Sequence, residues 1–151
     1  MSFVKKLLGS YVSVDDVLDV LYKIKISESQ AREEKTVEKI LLKELRKDFT
    51  TVHQQYNIGG YLGMKSDIDI GDGDVGIEIK LAASLNKSAS NVQRLFGQAI
   101  YYKNRKYKKS VIALIVGSAA LEDEPFMIEI MGFLEDIGVS VCYIATTKRR
   151  R

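Results

Sequence analysis

Apolar and polar residues alternate along this chain in two rhythms, and the changes of rhythm mark out its elements. Behind Ser13, a residue type that caps helices, Val14, Val17, Leu18 and Leu21 recur at helical spacing and predict a short helix over 14–25. Residues 28–48 keep the helical period in a highly charged background, with a stripe of Val37, Ile40, Leu41 and Leu45. Thr50 to Ile58 turns β-branched and aromatic, a first strand, and the glycines at 59, 60 and 63 mark a turn. Then the period drops to two. Lys65-Ser66-Asp67-Ile68-Asp69-Ile70 and Val75-Gly76-Ile77-Glu78-Ile79-Lys80 each read as a strand with one apolar face. Beyond them, Ser84 to Ser90 reads as a polar loop and 91–107 as a helix with Val92, Leu95, Phe96, Ala99 and Ile100 inward. The wholly apolar run from Val111 to Val116 suits a strand buried on both faces. A helix over 125–137 has Pro125 in its first turn and Gly138 to stop it, and 139–145 supplies the last strand.

Three successive strands followed by βαβ crossovers predict an α/β fold, a mixed central sheet flanked by helices with right-handed crossovers. The 151 residues suffice for one domain with a real core, 1–27 being an N-terminal helical extension and 146–151 a basic tail. There is no repeat, linker or second domain in the pattern.

The two period-2 strands flank Gly71-Asp72-Gly73-Asp74, and Asp-Gly is a strong signal for a two-residue hairpin turn. With Asp72-Gly73 as the turn, Gly71 pairs with Asp74, Asp69 with Gly76, and Asp67 with Glu78, with Lys80 further along the same face. Like charges directly opposite on a sheet destabilise it, so this register implies a cation between them: a divalent-metal site with an adjacent lysine. The competing reading is a solvated hairpin face with cross-strand ion pairs. Against it, Ile68, Ile70, Ile77, Ile79 and Leu81 make the other face continuously apolar, and the run-out Leu81-Ala82-Ala83 lacks the polar surface of an exposed edge. Asp67, Asp69 and Glu78 also fall at positions 1, 3 and 12 of a calcium loop, but Asp72 occupies the position that needs Gly, and no helix can enter through Gly59 to Gly63.

Composition narrows the chemistry. One Cys and one His exclude a zinc site, a Cys/His catalytic pair with a backup and an HNH-type centre. That leaves carboxylates, lysines and a hard metal such as Mg²⁺ or Mn²⁺. Cys142 is expected in the core and His53 as an ordinary strand residue. The net charge of +3 is unevenly spread: no Asp or Glu lies between Ile79 and Leu121, where Lys80, Lys87, Arg94, Lys103, Arg105, Lys106, Lys108 and Lys109 all fall. Such a region suits a polyanion whose phosphate must reach a metal. Lys106, Lys108 and Lys109 taken alone read as a solubilising surface, and the tail from Lys148 to Arg151 reads equally as a nucleic-acid contact or a plain chain end. No apolar run has transmembrane length and no signal peptide is evident, so a cytoplasmic location is expected.

Asp67, a short hairpin and Glu78-Ile79-Lys80 together resemble the core motif of the PD-(D/E)xK superfamily, the restriction-endonuclease-like nucleases, with Ser66 where the family name has proline. In element order the resemblance spans roughly residues 28 to 145. It implies an α-β-β-β-α-β core, here with an extra N-terminal helix and a C-terminal α-β addition. It further implies Mg²⁺, with Mn²⁺ able to substitute, held by Asp67, Glu78 and the Ile79 carbonyl, and Lys80 orienting the attacking water and stabilising charge on the phosphate. Family members carry a helix carboxylate ahead of the first strand. Glu38 fits, followed by Leu41, Leu42 and Leu45, and Glu34 one turn away is the alternative. Asp69 is the reserve ligand should the register slip. Arg94, Gln98 and Tyr102 share one i, i+4 stripe, and Gln98 to Tyr102 resembles the family's Q-x-x-x-Y signature, which implies contacts to substrate backbone. The implied activity is hydrolysis of nucleic acid, DNA being favoured, with a homodimer one possible arrangement. The alternative is a non-catalytic nucleic-acid-binding or scaffolding protein that keeps the fold, against which the intact Asp, Glu and Lys set argues. A sugar-nucleotide transferase using Asp67-Ile68-Asp69 would need a nucleotide-binding βα unit upstream, and none is present.

Overall fold

A computed structural model describes residues 11–58, 64–107 and 110–148. Helix α1 (Val14–Leu21) begins where Ser13 and Asp16 cap each other, each side chain accepting from the other's backbone N–H. It ends four residues before the expected boundary, because tight turns at Lys23 and Ile24 send Ile24 and Ile26 into the core. The helix expected over 28–48 is also shorter. Gln30–Arg32 form a 3₁₀ turn, Glu33 is extended (φ −133°, ψ 134°), and α2 runs from Glu34 to Asp48. Ser27 and Gln30 exchange side-chain to backbone hydrogen bonds, and Ser27 bridges Thr147 in parallel. Those bonds outcompete helix at this point.

Strands β1 (Val52–Asn57), β2 (Lys65–Ile70) and β3 (Val75–Leu81) form an antiparallel meander. Helices α3 (Ala82–Lys87) and α4 (Ala89–Tyr102, continued by a π turn at Lys103–Tyr107) lead to β4 (Val111–Gly117). The short α5 (Ala119–Glu122) and α6 (Pro125–Asp136) lead to β5 (Ser140–Ala145). The sheet order is β1-β2-β3-β4-β5, with β3, β4 and β5 parallel. It is a five-stranded mixed sheet with helices on both faces. The segment expected as a polar loop from Ser84 is instead α3, one-sided enough to bury Ala82 and Leu85 beneath its polar residues, and Ser88 then caps α4. The glycine turn at 59–63, Lys108, Lys109 and the arginines of the tail lie outside the described residues.

On one face Ile68, Ile70, Ile77, Ile79, Ile112 and Leu114 pack with Leu21, Val37, Leu41 and Leu45 of α1 and α2. On the other, Ala113 and Ile115 pack with Leu95, Ala99, Met127 and Leu134. β4 is therefore buried on both faces, and Cys142 lies in the core. Truncating a fully buried leucine such as Leu41 to alanine would cost about 2–5 kcal/mol.

The hairpin register is the expected one: Ile70 pairs with Val75, Asp69 with Gly76, and Ile68 with Ile77. Asp72 (φ 55°) and Gly73 (φ 101°) both take the left-handed backbone that a type I′ turn demands. At Gly76 a Cβ would collide with the ring of Tyr107, so the ring lies flat on the sheet there. Among the described residues, no helix is long and apolar enough to cross a membrane.

Candidate active site

At the end of the hairpin away from its turn, the two strands change how they bond. Past the Ile68–Ile77 pair, the Asp67 side chain takes over from the backbone: its Oδ2 accepts from the Ile79 N–H at 2.8 Å. Its Oδ1 accepts from Gln55 Nε2 at 3.2 Å. The same Gln55 amide donates to Glu38 Oε1 at 2.8 Å, and Gln54 Nε2 donates to Glu38 Oε2 at 3.2 Å. Glu38 is thus fixed on both oxygens and only 6% exposed. Gln55 holds this bridge from a left-handed backbone (φ 51°), a conformation that costs a non-glycine residue about 1–3 kcal/mol and concentrates at functional sites. A cavity of about 130 Å³ opens here, lined by Glu34, Lys35, Glu38, Gln55, Asp67 and Ile79. Both candidate helix carboxylates, Glu34 and Glu38, therefore reach the same space.

Glu78, 2% exposed, and Lys80 do not line this cavity. Glu78 Oε1 lies 3.4 Å from Lys80 Nζ, its buried Oε2 has no partner at hydrogen-bond distance, and the Tyr102 hydroxyl lies beside the carboxylate. Burial, and after it the negative charge of Asp67, pushes the Glu78 pKa up to about 8, with Lys80 pulling the other way. Burial also raises Asp67, against the Ile79 N–H and Gln55, while Glu38 adds to the rise and Lys80 opposes it. Glu34 is raised by burial, with Lys80 opposing and Asp67 and Glu38 reinforcing. These carboxylates crowd a desolvated space in which Lys80 is the nearby cation to Glu78. An unpartnered buried carboxylate oxygen is costly. The donors are all hard oxygens, of the kind that Mg²⁺ and Mn²⁺ take.

The turn end holds the tightest set of three potential ligands among the described residues, His53, Asp69 and Asp72. They are also tied into the turn. Asp69 is fully buried and accepts from the Gly73 N–H (2.9 and 3.1 Å) and from the Tyr107 hydroxyl (2.8 Å), which also meets Ser66 Oγ at 2.9 Å. Asp72 is exposed, accepts from the Tyr56 hydroxyl at 2.5 Å, and lies 3.9 Å from His53, whose ring stacks on Tyr56. Asp69, the reserve ligand, is thus occupied in locking the turn.

The α4 stripe passes from solvent into the core. Arg94 is exposed, Gln98 is half-buried with its Oε1 buried and unpaired, and Tyr102 is 2% exposed. The Tyr102 hydroxyl donates to the Lys65 carbonyl at 2.7 Å, tying α4 to β2, and it lies beside the Glu78 carboxylate and Gln98. Burial, followed by the charges of Glu78 and Asp67, raises its pKa. Gln54, Gln55 and Tyr107 were not singled out by sequence. The paired glutamines interrupting a β-branched run were the available sign for the first two, and Tyr107 had none. Compared with known proteins, the chain matches no family model, no curated protein and no solved structure.

Proposed function

We propose that the chain is a metal-dependent nuclease of the PD-(D/E)xK type, hydrolysing phosphodiester bonds in nucleic acid, with DNA the favoured substrate. The observation that carries this reading is the buried Glu78 carboxylate, with one oxygen unpartnered, set between Asp67 and Lys80. The order α2-β1-β2-β3-α4-β4, with its meander and parallel crossover, agrees with the α-β-β-β-α-β core of that superfamily. When bound, Mg²⁺ supplies an acidified water and neutralises charge on the scissile phosphate. Asp67, Glu78 and the Ile79 carbonyl would hold it. Asp67 is already aimed by the Ile79 N–H, and Glu38 is aimed by Gln54 and Gln55. Lys80, with its side chain only 12% exposed, presents a largely desolvated ammonium to the attacking water and the developing phosphate charge. Arg94 and Gln98 would meet the substrate backbone, while Tyr102 keeps β2 in place from within.

The decisive experiment is cleavage of labelled linear, branched and single-stranded DNAs with Mg²⁺, Mn²⁺ or EDTA. Metal-dependent cutting that disappears in Lys80→Ala is expected. Cutting by Lys80→Ala at the wild-type rate would overturn the assignment.

A further inference from the structure

A second depression lies along the same side of β3. Ile79 lines the carboxylate cavity, and two residues on, Leu81 lines a crevice of about 550 Å³. Residues two apart on a strand share a face. The chain segment opposite shows the same continuity: Ala31 and Arg32 line the crevice, then Glu34, Lys35 and Glu38 line the cavity. The crevice is bounded by Leu81, Gly117 and Thr146, at or just past the carboxyl ends of β3, β4 and β5. Its size falls within the range of small-ligand sites. Its floor is apolar, from Leu81, Val116 and Leu121. Its rim carries Arg32 and Lys87, both exposed and neither in an ion pair among the described residues, against the one carboxylate of Glu28.

We propose that this crevice binds one unpaired nucleotide of the substrate strand, adjoining the nucleotide whose phosphate meets Lys80. The inference rests on the nuclease reading and deepens it, because it specifies a single-stranded segment beside the scissile bond. An apolar floor between two cations suits an unstacked base below and its phosphate at the rim. A base stacked inside a duplex has no way down to Leu81 and Val116.

The test uses Ala83→Trp, which fills the crevice from an exposed wall position, and the charge reversal Arg32→Glu/Lys87→Glu. Affinities are read by fluorescence anisotropy in EDTA, for blunt duplexes and for duplexes with single-stranded tails. Tailed DNA should bind wild type at least tenfold tighter than blunt DNA, and both variants should lose that preference while keeping the Mn²⁺ affinity read by calorimetry; Ala83→Trp, which changes no charge, should also keep blunt-duplex affinity. Thymidine 5′-monophosphate should shift the amide resonances of Leu81, Gly117 and Thr146 in wild type and leave them unmoved in Ala83→Trp. An unchanged tail preference in both variants, or nucleotide shifts elsewhere on the molecule, overturns the crevice site. Nucleotide shifts at these three amides in a protein that cuts no DNA would keep the crevice and remove the nuclease reading. Cutting without any tail preference would do the reverse.

Discussion

Asp67 and Asp69 lie two residues apart on one strand, yet the two ends of the hairpin surround them differently. At the turn, Asp69 is wholly buried and receives every proton it needs, from Gly73 and Tyr107. At the open end, Asp67 and Glu78 share a desolvated space where negative groups press on one another and Glu78 Oε2 is left without a donor. Burial raises the pKa of Asp69 too, but its hydrogen bonds oppose the rise. Asp67, like Asp69, has a donor on each oxygen; what sets the open end apart is Glu78, buried beside it with Oε2 unpartnered. Proximity alone picks out the turn, where His53, Asp69 and Asp72 are the ligand-type group lying close together among the described residues.

Mutation can break that contrast. The largest effect is expected at the open end in activity: Lys80→Ala should lower the cleavage rate by about 10²–10³-fold, the scale for removing one preorganised stabiliser of transition-state charge, with an unchanged thermal midpoint. Next comes stability at the turn. Asp69→Ala takes the acceptor from the Gly73 N–H, leaves the Tyr107 hydroxyl only Ser66, and should cost about 3 kcal/mol in urea unfolding, on the scale of hydrogen bonds to a buried charge. Equal stability losses from Asp67→Ala and Asp69→Ala would erase the distinction between the ends.

Glu78→Gln should act with the opposite sign, stabilising the metal-free protein by about 1 kcal/mol at pH 8 through relief of opposed like charge. The pH dependence sharpens this. The folded-state pKa of about 8 lies above the ordinary 4.5, so the folded protein holds the proton more tightly than the unfolded chain. The stability conferred by that proton is full below 4.5 and is lost as pH rises through about 8. Unfolding of the metal-free protein at a series of pH values should show this fall in wild type and not in Glu78→Gln. Mn²⁺ affinity, read by calorimetry, should rise with pH over the same window, because the ion must displace the proton. The smallest effect is expected at Gln55. Gln55→Gly relieves the left-handed strain while losing the bridge, so stability should move by less than about 1 kcal/mol, whereas Gln55→Val keeps the strain and should cost more. Circular-dichroism melts of the two variants would rank them.

The sequence made the hairpin legible because the signals there are local: an Asp-Gly turn, a period of two and an apolar opposite face fix the register without help from elsewhere. β4 was legible for the same reason. Elements decided by distant partners were not. The break at Glu33 depends on Ser27 meeting Thr147, and α3 looked like a loop because its polar residues hide that Ala82 and Leu85 are buried. At the site, the alternation placed Asp67, Glu78 and Lys80 together, but Asp69 and Asp67 were indistinguishable until Tyr107, 38 residues away, was seen to reach one of them. The spacing put Tyr102 on one stripe with Arg94 and Gln98 as a substrate contact, and helical spacing gives a stripe and not its depth.

The ring of Tyr107 lying flat over Gly76 has a consequence for variation in this protein. Gly76 cannot take a side chain unless the ring is removed, and the ring cannot go without stranding the buried Asp69. Ser66, Asp69 and Gly76 therefore all couple through Tyr107 under mutation: a change at any of them alters what the ring or its hydroxyl can meet. In a saturation library these positions should show strong epistasis. Glu38 and Gln55, on the other side of the hairpin, should vary independently of them.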